Sequence, residues 1–139
     1  MKLNPYLMFN GQCEKAFKFY EQCLGGKITA LMTYGEAPDP AMVEQTQPEW
    51  RSKIMHTSLV FGDQELMGSD SPPEYYEEAK GFSVTISLND LTEAERIFHM
   101  LAENGTIKMP FQQTFWAYRF GMLIDQFGTP WMVNCDRAV

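Results

Sequence analysis

The fold is decided by two stretches that repeat one pattern. The first, residues 4–34, is NPYLMFNGQCEKAFKFYEQCLGGKITALMTY, and the second, residues 82–109, is FSVTISLNDLTEAERIFHMLAENGTIKM. Each runs from a short apolar strand through an amphipathic helix and a glycine-containing turn to a second strand. Matching residues lie 78 or 79 positions apart, as Tyr20 and Phe98 do. The chain is therefore predicted to contain an internal repeat.

Two further strand-like segments follow each copy of this pattern, so each copy becomes a β-α-β-β-β module. We expect an α+β fold in which the two modules form a curled mixed sheet around a cavity, with the helices on its outer face. Residues 1–139 form one predicted domain, with module 1 over about 1–70, a linker over about 71–80 and module 2 over about 81–139. The predicted strands are residues 3–9, 27–34, 54–61 and 65–69 in module 1, and 82–88, 106–109, 117–124 and 130–134 in module 2.

Local signals predict where the elements begin and end. Asn10 is a candidate N-cap for the first helix, and Gly25-Gly26 ends it by allowing a left-handed backbone. Asp90 and Glu93 have the spacing of a capping box at the second helix. Residues 35–50 carry three prolines and are predicted to be a loop, which is either an ordinary solvent excursion or a mobile lid over the cavity.

Charge and composition exclude several classes of function. A net charge of −7 with eleven scattered basic residues disfavours binding to nucleic acid, which requires clustered Lys and Arg. No apolar run approaches the roughly 20 residues of a membrane span, and no signal peptide is recognised. The three cysteines show no CxxC pair. We therefore expect a soluble cytoplasmic protein with free thiols, without nucleic-acid or membrane partners.

Several motifs carry a resemblance to a known family. They are PYLMFNG (residues 5–11), KIMH (53–56), FW (115–116), FGM (120–122), DQFG (125–128) and WMVN (131–134). Together with the doubled module they make the chain similar to the vicinal oxygen chelate superfamily, the glyoxalase, bleomycin resistance and dioxygenase proteins, and more narrowly to its PhnB-like branch. The resemblance implies a homodimer. Some members of the branch are described as ubiquinone methyltransferases, but this sequence shows no glycine-rich loop for a methyl donor.

Enzymes of this superfamily hold a divalent metal through His, Glu or Gln side chains on the first and last strand of each module. On this chain the resemblance places those positions at Pro5, Met67, Ser83 and Met132. Zinc, iron and manganese prefer imidazole and carboxylate ligands, which none of these residues supplies. We therefore expect no metal site and no cofactor.

Met and aromatic residues dominate the predicted central strands and favour a pocket for a small apolar or aromatic ligand. The alternative is that these side chains only pack the core or a subunit interface. His56 lies with Ser58 on one predicted strand face and is either a general base or a structural histidine. The candidate ligand-binding residues are Tyr6, Met8, His56, Ser58, Met67, Ser83, Trp116, Tyr118, Phe120, Met122 and Met132.

Three hypotheses of function follow. The first is a metal-independent protein that binds a small molecule without turnover. The second is a lyase, isomerase or dioxygenase that uses a displaced metal or metal-free acid–base chemistry, in which His56 would have to meet Asp70, Glu65 or Tyr118. The third is a surface for a subunit or partner only. We favour the first.

Overall fold

A computed structural model describes residues 1–136 of the chain. The chain divides into two compact units, Met1–Glu77 and the residues from Glu78 onward. The division falls inside the predicted linker. Each unit contains one β-α-β-β-β module, and the two are described separately below.

The first module contains a four-stranded mixed sheet. Its elements are β1 (Tyr6–Phe9), α1 (Cys13–Leu24), β2 (Lys27–Thr33), β3 (Ile54–Phe61) and β4 (Gln64–Asp70). The strand order is β1-β4-β3-β2, with β1 parallel to β4 and the other neighbours antiparallel. The β3–β4 hairpin turns through the two residues Gly62 and Asp63.

Helix α1 covers one face of this sheet because its apolar residues recur at helical spacing. Phe17 and Tyr20 are fully buried, and both rings pack against Phe9 of β1. Gly68 of β4 lies under the Phe17 ring, where any side chain would collide with it. The strand residues directly before and after Phe9 and Gly68 point to the opposite face of the sheet, which α1 does not cover.

The start of α1 differs from the prediction. Asn10 does not cap the helix: the residue before its first turn is Gln12, which makes no side-chain cap. Instead the buried carboxylate of Asp70, at the end of β4, accepts hydrogen bonds from the backbone N–H groups of Gly11 and Cys13 at 2.8 and 3.0 Å. Its second oxygen accepts the N–H of Ile54 at 2.9 Å. Asp70 is thus the last residue of β4, one residue beyond the predicted end of that strand, and it holds the start of α1 in place.

The connection between β2 and β3 contains short helices where the sequence predicted an irregular loop. These are a 3-10 turn at Tyr34–Glu36, the helix α2 (Pro40–Gln45) and a 3-10 turn at Pro48–Trp50. Asp39 caps α2 by accepting the N–H of Ala41 at 3.0 Å. Prolines begin both α2 and the second 3-10 turn, where their missing N–H groups leave no hydrogen bond unmade.

The second module repeats the arrangement. Its elements are β5 (Val84–Leu88), α3 (Leu91–Leu101), β6 (Thr106–Gln112), β7 (Arg119–Ile124) and β8 (Pro130–Cys135). The order β5-β8-β7-β6, with β5 parallel to β8, corresponds strand by strand to the first sheet. The predicted α+β fold with two β-α-β-β-β modules is confirmed, and the eight strands form two four-stranded sheets, one in each module.

All four strands of the second module differ from the prediction at one end. β5 begins at Val84 and β8 ends at Cys135. β6 continues through Pro110 to Gln112, beyond its predicted end at residue 109. Because β6 is the edge strand of its sheet, a residue without an N–H can lie in it without breaking the ladder. β7 begins at Arg119, so Ala117 and Tyr118 precede it. No helix in residues 1–136 is long and apolar enough to cross a membrane.

Candidate functional site

The uncovered face of the first sheet, meaning the face opposite α1, brings together most of the candidate residues of module 1. The strand register aligns Tyr6 with Met67 and Met67 with Ser58. His56, two residues before Ser58, is paired with Met32 of β2. The side chains that share this face by alternation are those of Tyr6, Met8, Met32, His56, Ser58, Glu65, Met67 and Ser69.

Tyr6 and His56 form the central polar pair of this face. The Tyr6 hydroxyl oxygen and His56 Nδ1 are 3.1 Å apart, and the two rings stack with centroids 5.8 Å apart. With the imidazole proton on Nε2, the tyrosine donates to Nδ1, and Nε2–H can donate to a ligand. In the other tautomer Nδ1–H donates to the tyrosine oxygen, and Nε2 can accept a proton. The arrangement thus supplies either a donor or a base.

A second polar pair lies beside the first. The Ser58 hydroxyl donates to the Glu65 carboxylate in a short hydrogen bond. The Ser69 hydroxyl contacts the Met8 thioether at 3.6 Å. Thioether side chains thus surround two hydrogen-bonded pairs, so the face can contact an apolar ligand while offering it a few oriented polar groups.

The corresponding face of the second sheet is more apolar. Gly121 of β7 lies under the Phe98 ring of α3, so its neighbours Phe120 and Met122 point to the side that α3 does not cover. Met122 is paired with Met132 of β8 and with Met109 of β6. The ring of Trp116 packs edge-on against Phe120 with centroids 5.3 Å apart. This face offers sulfur and aromatic surface without an ionisable pair like that of Tyr6 and His56.

Strand register pairs Met67 with Tyr6 in the first sheet and Met132 with Thr85 in the second. Pro5 and Ser83, where the resemblance implies two further metal ligands, precede β1 and β5. Residues 1–136 contain no group of three or more His, Cys, Asp or Glu side chains arranged to hold a metal ion. The donors at these positions do not suit zinc, iron or manganese.

Asp70 lies outside the uncovered face of the first sheet, and Tyr118 and the second histidine, His99, belong to the second unit. Asp70 points to the α1 side of the first sheet, where it binds backbone amides, so it does not meet His56. Tyr118 lies before β7, with the Arg119 guanidinium 4.2 Å from the centre of its ring. His99 lies on the exposed side of α3, with Nδ1 2.9 Å from the carbonyl oxygen of Glu95.

Four residues that share these faces are not among the predicted candidates: Met32, Ser69, Thr85 and Met109. Met32 lies beside His56 through a register shift in β2, and Thr85 lies opposite Met132. The repeat spacing could have found Thr85, since Tyr6 and Thr85 are 79 positions apart, the same spacing as Gly26 and Gly105.

Comparison with known proteins agrees with this architecture. A family model described as 3-demethylubiquinone-9 3-methyltransferase matches residues 1–134. The YjdN protein of Escherichia coli K12 is 34% identical over 141 residues, which cover 96% of this chain and 95% of YjdN. The structure of PA1353 from Pseudomonas aeruginosa is 45% identical, covers 99% of both chains and superposes with a TM-score of 0.90.

A PhnB protein from Bacillus cereus, described as a putative 3-demethylubiquinone-9 3-methyltransferase, is 25% identical with a TM-score of 0.79. That match covers 99% of this chain and 100% of the other. A glyoxalase/bleomycin resistance/dioxygenase family protein from Burkholderia phytofirmans shares the fold at 10% identity, with a TM-score of 0.63 and 96% of each chain covered. The chain belongs to the family described as 3-demethylubiquinone-9 3-methyltransferase, has a PhnB protein among its similar structures, and has the fold of the glyoxalase/bleomycin resistance/dioxygenase proteins.

Proposed function

We propose that this protein binds a small aromatic or apolar molecule without a metal ion, and that the uncovered face of the first sheet is part of the binding site. The observation that carries the proposal is the pairing of Tyr6 on this face with Met67, one of the positions where the resemblance implies a metal ligand. A phenol and a thioether are poor ligands for the divalent ions that such sites hold, but both make good contacts with an aromatic ring.

The exposure of the face supports an apolar ligand. Tyr6, Met8 and Met32 are 39%, 53% and 37% exposed, so their rings and thioethers are available for contact. The hydrogen-bonded pairs Tyr6–His56 and Ser58–Glu65 supply polar groups that can orient the ligand through its oxygens. A flat molecule with carbonyl or hydroxyl groups on a ring combines both properties.

The family description names a demethylated ubiquinone, which has these properties, and this suggests a first probe. We therefore choose ubiquinone-0, the quinone head group without its isoprenoid tail. Methyl transfer is not part of the proposal, since the sequence offers no glycine-rich loop for a methyl donor.

Two neighbouring residues of β2 give a matched test. Met32 and Leu31 are 37% and 39% exposed, but Met32 pairs with His56 and Leu31 with Thr57 on the opposite side of the sheet. We expect Met32→Ala to weaken binding of ubiquinone-0 by about 5- to 10-fold and Leu31→Ala by less than about 2-fold, measured by calorimetry. If Met32→Ala and Leu31→Ala weakened binding equally, the proposed site on the uncovered face of the first sheet would be contradicted. If neither ubiquinone-0 nor an aromatic-ketone panel binds or raises the melting temperature, the proposed ligand class is wrong.

Metal independence needs its own measurement. Protein purified without an affinity tag should contain far less than one equivalent of any transition metal by elemental analysis, and dialysis against EDTA should leave ligand affinity unchanged. Stoichiometric metal in the untreated protein, or loss of binding after dialysis, would overturn this part of the proposal.

A metal-free enzyme is the second candidate, favoured by the 3.1 Å contact between the Tyr6 hydroxyl and His56. Such a pair could remove a proton next to a carbonyl group. The test is exchange of those protons with deuterated water across a panel of aromatic ketones, followed by NMR. Exchange that His56→Gln abolishes, while Tyr6→Phe slows it, would establish this candidate. Absence of exchange for a ketone that the protein binds would remove it.

The homodimer and the cytoplasmic location that the resemblance and composition imply also remain proposals. Light scattering after size exclusion should give twice the 16.0 kDa mass of one chain. A mass of one chain at micromolar concentration would contradict the dimer.

A further inference from the structure

The first module contains a cavity of about 610 Å³ that the sequence analysis did not anticipate. One side is formed by Tyr34, by residues 45–47 at the end of α2 and by Glu49 and Trp50 of the second 3-10 turn, and the other by residues 72–75. None of these residues belongs to the uncovered face of the first sheet. The volume lies within the range of cavities that bind small molecules.

Aromatic rings form much of the lining. Tyr34, Trp50 and Tyr75 all face the cavity. The Tyr34 ring is held in place because its hydroxyl donates to the backbone carbonyl of Asp70 at 2.7 Å. Aromatic faces carry negative potential and attract organic cations that are only partly hydrated.

The charged side chains that line the cavity are carboxylates. Glu49 and Glu74 contribute carboxylates, and no Lys or Arg is among the lining residues that the structure describes. The nearest cations along the chain contact backbone oxygens: Arg51 Nε donates to the Thr46 carbonyl, and Lys53 Nζ donates to the Gly11 carbonyl. The lining therefore favours a positively charged ligand.

One polar atom on the lining residues has no partner. The indole N–H of Trp50 is buried and makes no hydrogen bond, the one such side-chain atom within residues 1–136. A buried donor without an acceptor destabilises the folded chain. Because this atom is closed off from solvent, a ligand oxygen reaches it only when the Trp50 ring turns toward the cavity, and the hydrogen bond then removes the penalty.

We propose that this cavity is a second binding site, specific for a small organic cation that also carries an acceptor oxygen. The rings and the two carboxylates bind the ammonium group, and the Trp50 N–H donates to the oxygen. The site is independent of the proposed function, because its lining residues and its ligand class both differ from those of the uncovered sheet face.

Three probes separate these contributions. Acetylcholine carries the cation and a carbonyl oxygen, tetramethylammonium carries the cation alone, and 3,3-dimethylbutyl acetate is the uncharged carbon analogue of acetylcholine. The readout is the Trp50 indole N–H signal in the ¹H–¹⁵N spectrum, one of three indole signals in the chain, assigned by its loss in Trp50→Phe. Acetylcholine should move this signal and bind about 10-fold more tightly than the neutral ester.

Variants test each part of the lining. Trp50→Phe keeps a ring but removes the donor, so acetylcholine affinity, followed on other amide signals, should fall about 5-fold while tetramethylammonium affinity stays within about 2-fold. The double change Glu49→Gln with Glu74→Gln should weaken both cations about 5- to 10-fold and reduce the dependence of binding on salt. Glu44→Gln, on α2 but outside the lining, is the matched control and should change neither.

Two results would overturn the proposal. One is equal affinity for acetylcholine and for the uncharged ester, which would show that charge is not recognised. The other is an unmoved Trp50 signal at acetylcholine concentrations on the order of 50 mM, about the weakest binding that such contacts would give. Neither result depends on whether ubiquinone-0 binds the sheet face.

Discussion

The two modules begin their helices in different ways although their sheets have the same order and direction. In module 1 the carboxylate of Asp70, from the last strand of the sheet, holds the N–H groups at the start of α1. In module 2 Asp90, directly before α3, accepts the N–H of Glu93 at 3.2 Å. The strand position equivalent to Asp70 is Cys135, since each pairs with the last residue of its module's first strand.

The difference shows which parts of the fold the scaffold requires and which parts each module has changed. Both modules keep the strand register and a glycine under the helix. Module 1 adds the long connection with α2 and the polar pairs on its uncovered sheet face, whereas module 2 joins β6 to β7 through residues 113–118 and keeps an apolar face. The candidate chemistry therefore lies mainly in module 1.

Removing the two caps should give the largest contrast between the modules. Asp70→Ala leaves three backbone N–H groups without their acceptor and should lower the free energy of unfolding by about 3–5 kcal/mol. Asp90→Ala removes one exposed local cap and should lower it by about 1 kcal/mol. Urea titration followed by circular dichroism measures both. Asp70→Asn, which keeps one acceptor oxygen, should fall between them, and equal losses for Asp70→Ala and Asp90→Ala would contradict the comparison.

The turns of the β3–β4 and β7–β8 hairpins should also differ, but here the larger loss of stability is expected in module 2. In module 2 Asp125 accepts the N–H groups of Phe127 and Thr129 and the indole N–H of Trp131, whereas in module 1 Asp63 occupies an exposed two-residue turn. We expect Asp125→Ala to destabilise by about 2–4 kcal/mol and Asp63→Ala by less than about 0.5 kcal/mol in the same titration. A larger loss for Asp63→Ala would show that the hairpin turns are not the source of the difference.

The glycines under the helices should behave alike in the two modules. Gly68→Ala and Gly121→Ala each push a methyl group into a helix aromatic ring, Phe17 and Phe98 respectively, and should each destabilise by about 1–3 kcal/mol. Phe17→Leu should recover part of the loss in Gly68→Ala, because it removes the colliding ring atoms. If it equally rescued Gly121→Ala, the effect would not be a local collision.

The smallest expected effect concerns Tyr34, in the connection that module 2 lacks. Burial, followed by the nearby Asp70 charge, raises the pKa of this phenol above its ordinary value. The unfolded chain therefore loses this proton first as pH rises past about 10, so stability falls there. Tyr34→Phe should lower stability by about 0.5–1.5 kcal/mol at pH 7, because the hydrogen bond to Asp70 is lost.

The same variant should lose less additional stability than the wild type between pH 9 and pH 11. Urea titrations at both pH values measure this, and Tyr75→Phe, at an exposed ring, is the control. If the stability of Tyr34→Phe fell more steeply than that of the wild type above pH 10, the raised pKa of Tyr34 would be contradicted.

Much of the fold could be predicted from the sequence because its signals are local. Ile54–Phe61 alternates in polarity and is a strand with those bounds, and Gly25-Gly26 ends α1 as predicted, both residues having positive φ. The short helices between β2 and β3 were missed because a six-residue helix has too little apolar periodicity to recognise.

The parts of the candidate site that were missed depend on contacts distant in sequence. The Tyr6–His56 contact spans 50 residues, and the bond from the Cys13 N–H to Asp70 spans 57. Composition and periodicity show which side chains share a strand face, but strand register decides which of them meet. Register also decides the pairs in the second sheet: β5 begins at Val84, and the residue opposite Met132 is Thr85 rather than Ser83.

The source of the α1 cap also has a consequence for the order of folding events. The Asp90 cap can form once residues 90–93 approach helical geometry, within the time in which an isolated helix forms and melts. The Asp70 cap requires closure of a loop of more than 50 residues. The chain must lose the conformational entropy of that loop before the hydrogen bond to Asp70 can form. During synthesis, α1 therefore leaves the ribosome well before its capping carboxylate does, and its first turn becomes secure only when β4 joins the sheet.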